Sequence, residues 1–193
     1  TPKYIFEMSA QNPSGPIIDD TNTTYDERTL LKRDTSLGAN TIRYTAPEEH
    51  IVMGGTEGVD RMRSGSGDDT LWGDGGDDRM DGGAGNDAIN GGAGNDIISD
   101  TFGDDVIKGG DGHDVINAGP GINLILGGTG SDFIITGNDI STVFAGLGND
   151  FIFGNTRNAA MTGGEGDDWI QTGTADGSPG DNFDPFGRDQ IRG

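Results

Sequence analysis

The side chains of this chain that could do chemistry are carboxylates, and they recur at a fixed interval. Aspartate stands at Asp69, Asp78, Asp87, Asp96, Asp105, Asp114, Asp132, Asp150 and Asp168, always a multiple of nine residues apart, and Asp60 extends the series upstream. Pairs such as Asp68/Asp69 and Asp167/Asp168 invite an acid–base reading. The same pairing returns at Asp77/Asp78 and Asp104/Asp105, so it belongs to a repeat rather than to one catalytic centre. Cysteine is absent, which excludes disulfides and thiolate metal sites. The two histidines, His50 and His113, have no partner at ligand spacing, so a zinc site is not expected and both read as exposed or capping residues. No nucleophile–base arrangement appears, and the GxG pieces recur with the aspartates, so they are turns rather than phosphate loops. What remains is a row of hard oxygen donors. Calcium, which takes six to eight oxygens in flexible geometry, is the cation that suits such a row.

The elements that must position these carboxylates follow from the same interval. From Ser64 to Gln171 the chain divides without insertion into twelve nonapeptides, two of which read GGAGNDAIN (82–90) and GGAGNDIIS (91–99). Position 6 is the aspartate in nine units, and position 4 is glycine in ten. Position 8 is aliphatic or Met in all twelve: Leu71, Met80, Ile89, Ile98, Ile107, Ile116, Ile125, Ile134, Val143, Ile152, Met161 and Ile170. An earlier unit, GGTEGVDRM (54–62), fits with one residue inserted before Gly58. Positions 1–6, rich in Gly, Asn and Asp, predict a turn that needs positive φ. Positions 7–9 predict a very short strand with position 8 inward. Two units then close one coil of 18 residues. The predicted fold is all-β: a parallel β-roll, a right-handed β-solenoid of about six coils stacked about 4.8 Å apart, with non-repeat caps.

Such a roll has a thin core. Each unit buries about one aliphatic side chain, worth ~1.5–3 kcal/mol, while ordering nine residues costs roughly 9–18 kcal/mol. Residues 64–171 also carry 18 Asp and one Glu against three basic residues, a net of −16. Metal binding is therefore expected to be coupled to folding. The whole chain has a net charge of −21 over 193 residues, which argues against nucleic acid as a partner. No run of 18 apolar residues occurs. The chain starts and stops without a signal peptide, which leads to the expectation of a segment of a larger protein.

The pattern G-G-x-G-x-D-x-U-x resembles the RTX, or hemolysin-type, repeat of bacterial proteins exported by type I secretion. The resemblance covers residues 54–171. It implies calcium between turns stacked on the same edge, held by the position-6 carboxylates and by backbone carbonyls near positions 2 and 4. Carried onto this sequence, the carboxylates are Asp60, Asp69, Asp78, Asp87, Asp96, Asp105, Asp114, Asp132, Asp150 and Asp168. The carbonyls are those of Gly65, Gly67, Gly76, Gly83, Gly85, Gly92, Gly94, Gly103, Gly110, Gly112, Gly128, Gly130, Gly146, Gly148, Gly164 and Gly166. The two edges are unequal. Every second unit gives an unbroken ladder of Asp78, Asp96, Asp114, Asp132, Asp150 and Asp168. The other edge runs Asp69, Asp87, Asp105, Asn123, Ser141 and Ala159, and Asp139 and Arg157 replace its last two position-4 glycines. Counting gaps, with Asp60 as a cap and Asp105/Asn123 as the marginal case, gives about seven to nine Ca2+ ions, close to the charge they must neutralise.

Three segments are expected: a strand-rich capping or docking segment over residues 1–53, the calcium-binding roll over 54–171, and an acidic capping loop over 172–193. In the first, KYIFEM (3–8), TIRYTA (41–46) and HIVMGG (50–55) read as strands, and YDERTLLKRD (25–34) as a short helix. In the last, Asp176, Asp181, Asp184 and Asp189 read as an ordinary acidic loop, with a terminal calcium site as the other reading. The Asp184-Pro185 bond resembles the cleavage sites of some self-processing RTX proteins. Outward positions of the C-terminal half are apolar (Leu124, Leu126, Phe133, Ile135, Phe144, Phe151, Phe153 and Trp169). The matching N-terminal places hold Arg79, Asp81, Asn90, Ser99 and Lys108, with Trp72 as the exception. Strand propensity accounts for aromatics there, but a contiguous patch points to docking against residues 1–53 or a neighbouring domain.

The function expected is that of a calcium-binding structural module. It folds on meeting extracellular calcium and supports the secretion and folding of a larger secreted protein; the segment itself is not expected to be an enzyme. The expected partners are neighbouring domains of the same parent chain, with no nucleic acid and no membrane span, in a monomer. The alternative is an adhesion or ligand-binding roll of a large surface protein. An ice-binding face would need a regular Thr or Asx ladder, which the outward columns lack, and an 18-residue coil has no room for a polysaccharide cleft. GGTEGVD, AGPGINLILGG, GGEGDDWI and DNFDPFGRD resemble RTX regions beside animal-type haem peroxidase domains. That resemblance implies a secreted peroxidase as parent, with none of the haem machinery in this segment.

Overall fold

Position 8 is the one place where each nonapeptide supplies an aliphatic side chain, and it sets the architecture. In the computed structural model, which describes residues 4–7, 17–18, 31–33, 40–44, 50–137, 139–154, 160–171 and 190–192, all twelve position-8 side chains are buried. They line up with Ile51, Met53 and Met62 as a single narrow core. The neighbours at positions 7 and 9 point away from it, as a two-residue strand period requires.

Two sheets face each other across this core. Sheet one holds β1 (Tyr4–Glu7), β2 (Ile17–Ile18), β5 (Ile51–Thr56), β7 (Thr70–Asp74), β9 (Ala88–Ala93), β11 (Val106–Asp111), β13 (Leu124–Thr129), β15 (Thr142–Leu147) and β17 (Ala160–Glu165). Sheet two holds β3 (Leu31–Arg33), β4 (Asn40–Tyr44), β6 (Asp60–Ser66), β8 (Arg79–Ala84), β10 (Ile97–Ser99), β12 (Val115–Asn117), β14 (Phe133–Ile135), β16 (Phe151–Phe153), β18 (Trp169–Gln171) and β19 (Gln190–Arg192). Within the repeats each strand pairs in parallel with the strand 18 residues on. Ile107 lies opposite Ile125 in sheet one, and Ile116 opposite Ile134 in sheet two. The parallel β-roll with 18 residues per coil and about six coils is therefore the observed fold.

Strand length departs from the expected three residues. In sheet one, β9 to β17 run six residues, from position 7 into position 3 of the next unit, with Gly110 paired to both Gly92 and Gly128. In sheet two, β6 and β8 are long as well, but from β10 onward the strands shrink to three. The change falls where the first two turn residues switch from Gly82-Gly83 to Asp100-Thr101. Glycine at position 2 adopts positive φ, 125° at Gly110, and a Cβ there would collide with the Gly92 carbonyl one coil earlier.

Beyond the repeats, β1 joins β5 and β4 joins β6 in parallel, so both sheets gain a strand from residues 1–53. β2 and β3 then pair antiparallel with β1 and β4. The three strand-like stretches of this segment thus fall on β1, β4 and β5. The helix expected over 25–34 is not formed at its C-terminal part, where Leu31–Arg33 is β3; residues 25–30 lie outside the described residues. An open backbone edge on β4 is satisfied by strand pairing, which a helix could not provide. The segment expected to end as a loop also supplies β19, parallel to β18, with Ile191 opposite Ile170. Asp176, Asp181, Asp184, Asp189 and the Asp184-Pro185 bond lie outside the described residues.

Candidate metal centres

Each turn delivers its position-6 side chain to the inside of an edge, where one carboxylate oxygen is held by the coil before it. On the complete edge the backbone N–H of Asp60 donates to Asp78 Oδ1. The same bond links Asp78 to Asp96, Asp96 to Asp114, Asp114 to Asp132, Asp132 to Asp150, and Asp150 to Asp168, all at 2.7–2.8 Å. On the other edge the N–H groups of Ile51, Asp69, Asp87 and Asp105 donate to Asp69, Asp87, Asp105 and Asn123 at 2.7–2.9 Å. All of these acceptors are buried.

The second oxygen of each carboxylate is the informative one. The Oδ2 atoms of Asp69, Asp78, Asp87, Asp96, Asp105, Asp114, Asp132 and Asp150 are buried and accept no hydrogen bond. At Asp78, Asp96, Asp114 and Asp132 this oxygen occupies the space over the position-1 glycine of its own turn (Gly73, Gly91, Gly109 and Gly127), where any Cβ would meet it. Asp60 differs. Its Oδ2 accepts from Thr56 N at 2.6 Å and Thr56 Oγ1 at 2.9 Å, so it is committed within its own turn.

A buried carboxylate with one bare oxygen is costly as an anion. Desolvation raises Asp78 to about 8, with the Asp96 and Asp60 carboxylates adding repulsion against the pull of the Asp60 N–H. Desolvation likewise lifts Asp132 to about 7, and Asp105, Asp114 and Asp150 to about 6. Asp69 and Asp96 move in the same direction. A hard cation set among these oxygens would remove the desolvation penalty and the mutual repulsion together. The donor set, oxygen only and without Cys or His, fits calcium. The glycines singled out for their carbonyls are shaped for close stacking: all sixteen have φ between +101° and +150°. At Gly112 the carbonyl of Gly94 lies directly against Cα.

The RTX calcium-binding nonapeptide repeat matches this chain in four copies, over residues 54–89, 90–125, 126–158 and 160–183. The chain belongs to the RTX calcium-binding repeat family. Comparison with curated proteins and with solved structures finds no match. As an RTX module, this chain is a calcium-binding β-roll, and its rows of buried aspartates are consistent with that.

Three features of this RTX roll escaped the sequence reading. The first is a ladder at position 5, exposed and running the opposite way. Asn95 N donates to Asp77 Oδ1, His113 N to Asn95 Oδ1, Ser131 N to His113 Nδ1, Asn149 N to Ser131 Oγ and Asp167 N to Asn149 Oδ1, at 2.7–3.1 Å. His113 is thus exposed but is a rung, and His50 begins the matching ladder by accepting from Asp68 N at 2.9 Å. The recurrence of Asp, Asn, Ser and His at position 5, all short acceptors, was the available signal. The second is Asn123, whose amide Nδ2 donates to the carbonyls of Ala118 and Gly119 at 3.0 and 3.2 Å, so this turn satisfies itself without a cation. The third is Asp100, an aspartate at position 1, brought within reach of Asp87 and Asp105.

The outer faces also differ from expectation. Leu124, Phe133, Phe144 and Phe153 are exposed, and Phe133, Phe151 and Trp169 form a stack with centroids 5.1 and 6.0 Å apart. Ile97, Val106 and Val115 are exposed too, so Trp72 is not the sole outward apolar residue of the N-terminal half. Position 7 favours β-branched and aromatic side chains because they pack against the same position one strand away.

Proposed function

We propose that this module folds when it meets extracellular calcium and so supports the export and folding of a larger secreted protein. The observation that carries the reading is the row of eight buried Oδ2 atoms without a hydrogen-bond partner. As anions they oppose the calcium-free roll, so a chain leaving a low-calcium interior stays unfolded and compaction waits for the outside. Calcium supplies the positive charge and the extra oxygen coordination that the turns lack. The residues that would hold it are the stacked pairs from Asp78/Asp96 to Asp150/Asp168, and Asp69/Asp87 and Asp87/Asp105. With Asn123 self-satisfied and Asp60 committed to Thr56, this arrangement supports about seven ions.

Far-UV circular dichroism of the intact chain tests it. Chelator at neutral pH should leave little β-structure, millimolar calcium should restore it, and magnesium, with its rigid octahedral demand, should do so poorly. A fully folded spectrum in excess chelator at low ionic strength would refute the proposal. The exposed apolar outer face favours one further reading, a roll that also adheres to a partner surface.

A further inference from the structure

The turn at residues 100–105 breaks the repeat at its first residue. Position 1 is Gly, Ala, Ser or Thr in the eleven other units, because it faces the interior of the edge; here it is Asp100. The residue is 6% exposed. Oδ1 accepts from Thr101 N at 2.5 Å, and Oδ2 accepts nothing. That free oxygen fills the space over Gly82, the equivalent residue one coil earlier, beside Asp87 Oδ2: a Cβ on Gly82 would strike both. Asp87, Asp100 and Asp105 thereby bring one oxygen each to within 4.8 Å of one another. All three residues are at least nine-tenths buried, and the Oδ2 atom of each is without a hydrogen-bond partner.

Nothing in a nonapeptide roll requires a third carboxylate at this level, and without a counter-charge it is unfavourable. Burial and the neighbouring Asp105 and Asp87 push Asp100 strongly upward as an acid. The next turn on the same edge has already replaced its cation by the Asn123 amide. The trio therefore lies in the last cation gap of this edge, and it carries one carboxylate more than the gaps built from a stacked position-6 pair.

We propose that Asp87, Asp100 and Asp105 form a three-carboxylate calcium site that binds more tightly than the two-carboxylate gaps and anchors the incomplete edge. This rests on the reading that stacked position-6 aspartates bind calcium in this chain. Affinity in oxygen sites rises with the number of charged ligands. The trio should fill first as calcium rises, and it should favour a trivalent ion of similar size, which balances three carboxylates.

Calorimetric calcium titration of the intact chain tests this, with terbium luminescence as the second readout. The wild-type chain should show one tight class ahead of the remaining sites, and one equivalent of terbium should enter it in the presence of calcium. Asp100→Asn should weaken that class by about tenfold or more while leaving the others in place. Asp100→Gly, which restores the repeat and removes any concern over misfolding, should behave alike and should lose the terbium preference. Wild-type and both variant titrations that superimpose, with calcium-driven folding intact, would overturn the site; Asp100 would then be a carboxylic acid sharing a proton with Asp87. A wild-type chain that binds no calcium would instead overturn the underlying reading, and this site with it.

Discussion

The two edges of the roll are built from the same nonapeptide, but they solve the problem of a buried turn differently. On the edge of Asp78 to Asp168, every described turn keeps its carboxylate, the strands of sheet one extend through positions 1–3, and stacked glycines hold the backbone in ladder contact. On the edge of Asp69 to Ser141, the strands of sheet two shorten after β8, a third carboxylate enters at Asp100, and at Asn123 an amide stands where an ion would be needed. A cation is thus one of two ways to satisfy a turn carbonyl, and an –NH2 group is the other. The first needs calcium. The second is always present.

The most severe way to break the comparison is to remove calcium and change pH. The buried aspartates are raised above their unfolded value of 3.8, most of the large rises reaching about 6–8 and Asp100 about 9. The calcium-free fold therefore binds more protons than the unfolded chain between these values. Its stability is fully present below about pH 4 and is lost as pH rises toward 8. In chelator, circular dichroism should show β-structure gained on acidification from pH 8 to pH 4. In millimolar calcium the chain should stay folded across this range, the ion taking over from protons as pH rises. A calcium-free spectrum that does not change over this range would break the electrostatic account.

Next in size is a substitution on each edge. Asp114→Ala removes the acceptor of Asp96 N and a ligand from two gaps, so the calcium midpoint of folding should rise by roughly tenfold or more, equivalent to about 1.4 kcal/mol or above. Ser141→Ala removes a buried hydroxyl that has no partner, and the midpoint should stay within about 0.5 kcal/mol. Equal shifts would mean that the edges do not differ as described.

Asn123→Asp sharpens the comparison by converting one solution into the other. It deletes the donors to Ala118 and Gly119 and adds a carboxylate opposite Asp105. Calcium stoichiometry should increase by one, and folding should depend more steeply on calcium. An unchanged stoichiometry would show that the amide was not standing in for an ion.

The smallest effect is expected from the outer face. Phe151→Ser interrupts the stack between Phe133 and Trp169 and should destabilise the calcium-loaded roll by about 1–2 kcal/mol, read from thermal unfolding. A change below about 0.5 kcal/mol would indicate that the ring contributes no more than an exposed side chain does.

How much of this was legible in the sequence depends on period. Position 8 and position 6 are read directly, because a side chain that repeats every nine residues in a two-unit coil must stack on itself. The coil length, the core from Leu71 to Ile170 and the inequality of the edges all follow from that. What escaped are the places where one residue acts across a coil in a way its neighbours do not. The Asn123 amide looks like a weakened Asp until its donors are placed against Ala118 and Gly119. Asp100 looks like an ordinary exposed turn residue until the narrowness of position 1 is seen. The extension of sheet one through positions 1–3 depended on backbone contact between glycines of successive turns, which composition does not report. The strand at Leu31–Arg33 was hidden for another reason: its pairing partner, β4, overrides local propensity.

The two ladders on each edge run in opposite senses, position 6 lending an acceptor to the coil before it and position 5 to the coil after. The roll is therefore polar, like a row of identical hooks and eyes, and its two ends are complementary to each other. A bare stack with unlike, matching ends is a fibre-forming unit, since a second copy can add head to tail without any closing symmetry. The reversal of chain direction at β2 and β3 interrupts this. An antiparallel strand laid on each sheet at the N-terminal end presents the wrong hydrogen-bond spacing to an incoming parallel coil. It is a stacking fault at the end of a one-dimensional crystal.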